Sequence, residues 1–416
     1  MFWINFLHIY QPPGQNKRLL ERVVRESYLK ILEILENNSG LKITLNISGS
    51  LIEQLVKVQR LDILERIKRL INEDRIELAG TAMYHPLLPL LPSQEVKRQI
   101  ELNEKISKKY LSNSFKKLKG FFLPEMAYNE RIEEVIRQMG YQWIILDEIA
   151  FNGKLGEVDF SFDYQTKNKP PLKIVFRNRG LSDIFTTGWA KTEERFWEAI
   201  SFDNRSHQYL ITAMDGETFG HHRPGLEKTW GKLLLNPQIK TLTISQYLKL
   251  RKERKEIAPF YCSWSSSTRE LNKNLPYRLW QDPKNKIHSL QWQLTNLVIK
   301  EIESSSSNRG FKEAREKLDQ ALFSCQYWWA TEDQFDPLMI KRGEDYLIES
   351  LKVLGDKKII KKAELISSQI IKLAKKKKIK MSRGWRERRF TLLNSDSATP
   401  ASRDLTGRRR TKFKKG

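Results

Sequence analysis

A chain of 416 residues and 49.1 kDa, with 39% hydrophobic and 10% aromatic residues, is long enough for two or three domains. It can bury a sizeable core, which excludes a wholly disordered protein. No apolar run reaches the roughly 18–20 residues of a membrane-spanning helix, and the chain shows no secretory signal at its start. Two cysteines, Cys262 and Cys325, exclude a disulfide framework. We therefore expect a soluble, cytoplasmic protein with no membrane partner.

The positive charge is concentrated at one end of the chain. The net charge is +24, and residues 371–416 hold 17 Lys or Arg against 3 Asp or Glu. The rest of the chain is only mildly basic, so a nucleic-acid partner is not expected except through this segment. We expect residues 375–416 to form a basic, disordered tail, because they have little to bury.

The first 250 residues alternate between short apolar runs and segments with helical periodicity. Strands that are separated by helices predict a parallel sheet, and about seven such units predict a (β/α) barrel. In a barrel, the working residues follow the carboxyl ends of the strands. The predicted strands are Phe2–Ile9, Lys42–Ile47, Ile76–Ala79, Gly120–Leu123, Trp143–Leu146, Leu172–Phe176 and Tyr209–Met214.

After about residue 257 the strand pattern stops and helical periodicity takes over, which predicts a C-terminal helical bundle. The predicted domains are a catalytic barrel over residues 1–256, a helical domain over 257–374 that completes the active-site cleft, and the tail over 375–416. The helical periods lie near residues 287–304, 310–329, 338–354 and 357–374.

Four stretches place polar side chains directly after predicted strands, where a barrel has its active site. Glu125 follows an apolar run and a proline, and Asp215 begins an Asp-Gly turn. Each acid alone is typical of a surface charge, a helix cap or a turn. Together, at two strand ends of one barrel, they can converge on one mouth, and glycosidic cleavage needs two carboxyls that flank the bond. The four stretches are His8–Gly14, Gly80–Pro86, Phe121–Tyr128 and Thr212–His222.

These stretches resemble, in the same order, the signature motifs of glycoside hydrolase family 57, which holds α-amylases, 4-α-glucanotransferases, amylopullulanases and branching enzymes. The resemblance covers about residues 1–350 and implies an irregular seven-stranded (β/α) barrel followed by helices. Tyr10 stands where the family often has a second His, and Phe122 where many members have Trp. The matching motifs are His8-Ile9-Tyr10-Gln11-Pro12, Tyr84-His85-Pro86, Leu123-Pro124-Glu125 and Asp215-Gly216-Glu217.

The resemblance also implies a retaining mechanism, in which Glu125 is the nucleophile and Asp215 the general acid/base. Retaining enzymes hold these carboxyls roughly 5–5.5 Å apart, and we expect that separation here. Three interpretations of Glu217 are open. It would raise the pKa of Asp215 by repulsion, accept hydrogen bonds from sugar hydroxyls, or cap a structural turn.

The remaining candidates are substrate contacts. His8, Gln11 and His85 are predicted to hydrogen-bond sugar hydroxyls, with satisfied core histidines or metal ligands as alternatives. No histidine pair has the spacing of a metal site, so we expect no metal and no other cofactor. Three further candidates are Trp264 and Trp329, which would stack on sugars or pack in the core, and Arg179, which would bind substrate or form a structural salt bridge with its neighbours.

The leading hypothesis is a retaining enzyme that acts on α-1,4-glucans or malto-oligosaccharides, of the α-amylase or 4-α-glucanotransferase type. The alternatives are a metal-dependent carbohydrate deacetylase of related barrel fold and a non-catalytic glycan-binding protein. The sequence does not decide whether water or a sugar hydroxyl is the acceptor, and it leaves the oligomeric state open.

Overall fold

The computed structural model describes residues 1–111, 118–203, 208–250, 254–332 and 334–393, with side chains as far as residue 377. None of the helices in these ranges is long and apolar enough to cross a membrane. The strands are β1 Phe2–Ile9, β2 Ile43–Ile47, β3 Ile76–Ala79, β4 Gly120–Phe122, β5 Trp143–Asp147, β6 Asp163–Thr166, β7 Lys173–Arg177, β8 Tyr209–Asp215, β9 Lys240–Leu242 and β10 Arg254–Ile257.

The helices lie between and after these strands. A π-helical turn, Val24–Tyr28, joins the first two. The helices are α1 Lys17–Val23, α2 Leu29–Glu36, α3 Gly49–Lys57, α4 Leu61–Asn72, α5 Ser93–Leu111, α6 Glu130–Gln138, α7 Arg179–Thr186, α8 Glu193–Phe202, α9 Leu226–Leu235, α10 Ile244–Leu250, α11 Thr268–Leu271, α12 Lys286–Ser304, α13 Phe311–Ala321, α14 Cys325–Trp328, α15 Pro337–Leu354 and α16 Lys357–Leu393.

The strands form two five-stranded sheets. The first has the order β3-β2-β1-β8, with β9 also paired to β1, and the second has the order β10-β6-β7-β5-β4. The pairs are parallel except β6 with β7. All seven predicted strands are present within one residue of their predicted bounds, whereas β6, β9 and β10 were not predicted. The α/β class and the helical C-terminal region are therefore confirmed.

The predicted closed seven-stranded barrel is not confirmed, because neither sheet closes on itself. At one junction, β3 meets β4 only through a bridge between Gly80 and Phe121. At the other, the amide of Asn178 donates to the carbonyl of Ile211 (2.8 Å), which links the end of β7 to β8. Short strand ends thus replace full ladders at both junctions.

Strand β1 lies at the centre of the first sheet and is buried on both faces. Alternation sends Trp3 and Leu7 into one hydrophobic core, and Ile4 and Phe6 into the other, which lies between the sheets. The Phe6 ring stacks on Phe122 of β4 at 5.3 Å, so the two sheets pack directly against each other. The next even position on β1 is His8, which therefore points to the same interior.

Side-chain caps close the turns that leave the strands. Ser48 caps α3 directly after β2, Asn129 caps α6 after β4, and Asn178 caps α7 after β7. Each side-chain oxygen accepts a backbone N–H that the helix itself leaves unpaired. These caps fix the backbone next to the residues that gather at the strand ends.

The C-terminal region is a helical bundle, as predicted. Its last helix, α16, continues through the predicted boundary at residue 374 as far as Leu393, so the first part of the predicted tail is helical. The remainder, residues 394–416, lies outside the described residues. Ala363, Ile370 and Ala374 bury one face of α16, and the amine of Lys377 donates to two backbone carbonyls of the loop after α14.

This packing predicts how the protein responds to truncation. Removing residues 381–416 should leave the melting temperature nearly unchanged, because the buried side chains that the structure describes on α16, such as Ala363, Ile370 and Ala374, all precede that point. Removing residues 357–416 also deletes the buried face of α16 and should lower the melting temperature strongly or abolish soluble expression. Differential scanning calorimetry of the two truncated chains checks both outcomes. A large loss in the shorter truncation would contradict the prediction.

Candidate active site

The carboxyl ends of three neighbouring strands meet at one edge of the first sheet. His8, near the end of β1, lies in register with Asn46 of β2 on one side and with Asp215, the last residue of β8, on the other. Because parallel strands point the same way, this register brings their terminal polar side chains together. The polar residues at the ends of β1, β2 and β8 therefore lie side by side at this edge of the sheet.

Glu125 comes from the second sheet. It follows β4 in a short 3₁₀ turn, Pro124–Met126, and adopts φ 61° and ψ 15°, in the left-handed region. Its carboxylate accepts a hydrogen bond from the indole N–H of Trp264 (2.8 Å), and its other oxygen lies 3.8 Å from Nδ1 of His85. The amide of Trp264 also donates to the Glu125 carbonyl (3.0 Å), so Trp264 holds both the backbone and the side chain of this residue.

His8 and His85 stack ring on ring, with centroids 4.8 Å apart. Asn46 donates through Nδ2 to two backbone carbonyls, so its Oδ1 faces Nδ1 of His8 (2.7 Å), and that ring nitrogen must carry the proton. Burial lowers the pKa of His8 to about 4 and that of His85 well below its usual range, so both rings are neutral. Both Nε2 atoms are buried and have no hydrogen-bond partner among the described residues.

Tyr10 covers the same rings from the other side. Its phenol ring stacks on His85 at 4.3 Å, and its hydroxyl lies 3.6 Å from the thiol of Cys325. Burial raises the pKa of Cys325 to about 12 and the pKa of Tyr10 well above its usual value, so both groups are neutral. The charge of Glu125 adds to both shifts.

Glu217 sits behind Asp215 in a dense hydrogen-bond network. The amide of Tyr10 (3.2 Å), Nε2 of Gln11 (3.2 Å) and the hydroxyl of Tyr28 all donate to its Oε1. Tyr28 lies in the π-helical turn, a feature that often accompanies functional sites. Burial, followed by the charge of Asp215, raises the pKa of Glu217 to about 7. Glu217 therefore ties the end of β1 to the turn after β8, which is the structural reading of this residue.

The two candidate catalytic carboxyls perturb each other. Burial, followed by the charge of Asp215, raises the pKa of Glu125 to about 8, against the hydrogen bond from Trp264. Burial raises the pKa of Asp215 to about 6, against the positive charge of Arg177. The unliganded pair therefore shares about one proton near neutral pH. Asp215 and Glu217 repel each other as like charges, and the charge of Asp215 raises the pKa of Glu217. The tuning of Asp215 by Glu217 stays a prediction.

Arg179 is engaged in a buried ion pair away from the carboxyls. Its guanidinium donates to Asp147, which is fully buried at the end of β5, and to the carbonyl of Ser266 (2.8 Å). Arg177 shares Asp147 (2.7 Å) and also donates to the carbonyl of Ala213 on β8 (2.9 Å). The salt-bridge reading of Arg179 is thus the one that the contacts favour. Arg177, which belongs to the same stretch of sequence as Arg179, is the cation that lowers the pKa of Asp215.

Trp329 lies just after α14, half-buried, and packs edge to face on Trp328 with centroids 4.8 Å apart. Its role as a sugar contact stays a prediction. Within the described ranges, no group of three or more His, Cys, Asp or Glu side chains is arranged to hold a metal ion. The stacked arrangement of His8 and His85 agrees with this, because stacked imidazoles do not aim their nitrogens at a common point between them.

The sequence model of Glycosyl hydrolase family 57 matches residues 5–259, which is more than half of the chain. The chain belongs to this family. It is 24% identical to an α-amylase of Pyrococcus horikoshii over 259 residues, 59% of this chain and 40% of that protein. It is equally similar, over 59% of this chain and 38% of the other, to a 4-α-glucanotransferase of Thermococcus litoralis.

A crystal structure of a family 57 branching enzyme from Pyrococcus horikoshii has a similar fold, with a TM-score of 0.67 and 15% identity. The similarity covers 88% of this chain and 94% of that one. The chain spans about two fifths of the length of the curated relatives named above. The family match and the shared fold therefore cover more of this chain than the alignments with those two enzymes do.

Several residues of the site lie beyond the segment that matches the family 57 model. Trp264 approaches Glu125 from the loop before α11, and Ser324 and Cys325 approach from the start of α14. The side chain of Ser324 is fully buried and lies 3.1 Å from Nδ1 of His85. Sequence reasoning missed Ser324, because a serine inside a helical period carries no local signal of a site.

The raised pKa of Glu125 predicts how stability depends on pH. A carboxyl with a folded pKa of about 8 and a usual value of 4.5 favours the folded state at low pH, and this contribution is lost as the pH rises toward 8. Glu125→Gln removes the ionisation. Between pH 5 and pH 9, the variant should therefore gain on the order of 4 kcal/mol in free energy of unfolding relative to the wild type.

Urea denaturation of both proteins at the two pH values measures this difference. Glu344→Gln is the matched control, since burial also raises the pKa of that carboxyl, to about 7, in the helical region away from the site. It should show a gain of the same sign and smaller size. Parallel stability curves for wild type and Glu125→Gln would show that Glu125 ionises freely in the folded protein, contrary to the prediction.

Proposed function

We propose that this protein is a retaining glycosidase or transglycosidase that acts on α-1,4-glucans. The observation that carries the proposal is the pair of carboxyls, Glu125 and Asp215, at strand ends of two facing sheets, close enough to raise the pKa of Glu125 through the charge of Asp215. Membership of family 57 and relatives named α-amylase and 4-α-glucanotransferase support the same class of substrate. We also propose that the two sheets act as halves of one irregular barrel, joined at Gly80 and Asn178.

In the proposed reaction, Glu125 attacks the anomeric carbon while Asp215 gives its proton to the leaving oxygen, and the glycosidic bond breaks. Water or a sugar hydroxyl then attacks the glycosyl-enzyme, gives its proton to Asp215 and frees the Glu125 carboxylate. The reaction needs the shared proton on Asp215. A substrate oxygen that accepts a hydrogen bond from protonated Asp215 would favour this arrangement.

The histidines fit a role in binding sugar hydroxyls. The ring of His8 is neutral with its proton on Nδ1, which leaves Nε2 as a buried acceptor without a partner among the described residues. A buried acceptor that lacks a donor is costly, and a sugar hydroxyl is a donor of suitable size. We assign the same role to Nε2 of His85. Gln11 and Glu217, whose polar atoms bond to each other, support the site from behind.

Incubation with maltoheptaose and chromatography of the products tests the activity and decides between the acceptors. Shorter chains alone indicate hydrolysis, whereas a ladder of shorter and longer chains indicates transfer. Glu125→Gln should lower either activity by several orders of magnitude, because the covalent route is closed. Glu344→Gln, a buried carboxyl outside the site, should not. Equal activity in wild type and Glu125→Gln would overturn the assignment of the nucleophile.

The Asp215 variant separates the two carboxyl roles by stereochemistry. With an activated α-glucoside, Asp215→Asn should still form the glycosyl-enzyme, which then accumulates because no base activates water. Azide needs no base, so it should restore turnover. Attack by Glu125 inverts the anomeric centre and azide inverts it again, so the product should be the α-glucosyl azide. Release of the β-azide, or no rescue in a folded variant, would show that the roles are assigned wrongly.

The pH dependence of kcat/KM should be bell-shaped, with limbs near pH 6 and pH 8. Below the first, both carboxyls carry a proton and Glu125 cannot attack. Above the second, both are ionised and the leaving oxygen receives no proton. The two pKa values that set the limbs belong to the coupled pair of carboxyls. The limbs therefore lie at the same pH whichever carboxyl carries the shared proton. Initial rates on maltoheptaose across pH 4–10 measure the profile, and a profile with a single limb would contradict it.

A further inference from the structure

Arg177 is the last residue of β7, and its side chain is buried at the junction where the second sheet meets β8. The amide of Asn178 donates to the carbonyl of Ile211, and Nη1 of Arg177 donates to the carbonyl of Ala213, two residues further along β8 (2.9 Å). A parallel neighbour would donate its next backbone N–H to that second carbonyl. Because the chain has by then turned into α7, the guanidinium supplies this bond instead.

The bond to Ala213 brings the guanidinium beside Asp215. Asp215 is two residues beyond Ala213 on β8, about 7 Å along the strand. The positive charge of Arg177 accordingly lowers the pKa of Asp215. Among the described residues, the other titratable groups around Asp215 are neutral or acidic: His8, Tyr28, Cys325, Glu125 and Glu217.

The same guanidinium contacts the residue that holds Glu125. It lies over the indole of Trp264, 5.3 Å from the ring centroid, and its Nη2 lies 3.5 Å from the Trp264 carbonyl. A cation over an aromatic face is attracted to it. Trp264 in turn donates to both the carbonyl and the carboxylate of Glu125. One side chain therefore touches the strand that carries Asp215 and the tryptophan that holds Glu125.

Asp147 fixes the orientation of this guanidinium. Its fully buried carboxylate accepts from Nε of Arg177 (2.7 Å), and Asp183 lies 3.9 Å from Nη2 on the side of α7. Every N–H of a guanidinium can only donate, so the direction of these bonds is not in question. The fork is planar and rigid, and a lysine ammonium could not reach the same acceptors together.

We propose that Arg177 is a positioning residue of the active site, which holds the end of β8 and Trp264 in one arrangement so that Asp215 and Glu125 share one site. That these carboxyls cleave glucans rests on the proposed function. The role of Arg177 in placing them does not. In this role the side chain replaces the strand pairing that the open junction between β7 and β8 lacks.

Carbon NMR of the full chain labelled with ¹³C at the aspartate carboxyls tests this without an assay of activity. Asp215→Asn identifies the signal of Asp215, which in the wild type should titrate with a midpoint near pH 6. Arg177→Gln keeps an amide donor but removes the charge. It should raise that midpoint by about one pH unit or more, because a nearby cation favours the ionised carboxyl. Arg177→Lys keeps the charge and should leave the midpoint close to that of the wild type.

Arg179→Gln is the matched control. It removes the other guanidinium that pairs with Asp147, one whose further bond goes to the carbonyl of Ser266. This variant should also lower the melting temperature, but the midpoint of Asp215 should stay in place. A wild-type midpoint in Arg177→Gln, or equal shifts in the two glutamine variants, would overturn the proposal. Arg177 would then be only one half of a structural ion pair.

A reciprocal measurement keeps the proposal testable if Arg177→Gln does not fold. In the chain labelled with ¹⁵N-arginine, Arg177→Lys identifies the Nη signals of Arg177. In the wild type these signals should follow the ionisation of Asp215 near pH 6, and Asp215→Asn should remove the inflection. No inflection in the wild type, or the same inflection in Asp215→Asn, would contradict the placement of Arg177 beside Asp215.

If the protein cleaves glucans, Arg177→Lys should lower kcat on maltoheptaose about tenfold with a smaller change in KM, because the ammonium cannot hold all the acceptors at once. The loss should be smaller for an activated α-glucoside, whose leaving group needs little help from Asp215. A wild-type kcat in Arg177→Lys would overturn the positioning role. Inactivity of the wild type on glucans would instead contradict the proposed function, and the two NMR titrations would still decide the role of Arg177.

Discussion

The parallel pairing of β1 with a strand on each side is the constraint on which the site depends. In this register His8 lies between Asn46 and Asp215, and Asn46 fixes the proton of His8. A slip of one residue would turn His8 to the opposite face of the sheet, into the second hydrophobic core. The hydrophobic residues of β1 prevent the slip, because alternation sends them into two different cores. The chemistry at the end of the strand is thus set by packing along its whole length.

The second sheet supplies the opposing carboxyl, and burial links the two halves electrostatically. Glu125, Asp215 and Glu217 lie close together, and burial raises the pKa of each. Arg177 is the nearby cation that moderates Asp215, and it is itself held by Asp147.

Much of the strand layout could be predicted from the sequence, because long apolar runs such as that of β1 are local signals. The three missed strands are short, at three or four residues each. In β10, for example, three of four residues are exposed and no alternation marks them. The carboxyls could be found because each follows a strand end. The residues that hydrogen-bond to Glu125 and His85 could not be predicted, because they are distant in sequence. Trp264 is 139 positions from Glu125, and Ser324 is 239 positions from His85. Nothing in the local pattern near Arg179 indicates that Asp147 neutralises it.

The closed barrel was predicted from the number of strands and from the resemblance, but the ladders at both junctions are short. The strand β4 has only three residues, and the chain then turns at Pro124 to present Glu125. Residues that could have lengthened the ladder are used to build the turn. The same few residues therefore cannot both extend the β4 ladder and place the Glu125 carboxyl.

The backbone of this turn has a consequence for how the sequence can change. His85, Glu125 and Met126 all have positive φ values, of 56°, 61° and 47°, a conformation that costs a residue with a side chain on the order of 1 kcal/mol. Glycine adopts this conformation readily, so a glycine at position 125 would relieve both the backbone strain and the buried carboxyl. Selection for thermal stability alone would thus replace these strained residues. Backbone strain of this kind is typical of residues that serve a site and not the stability of the fold.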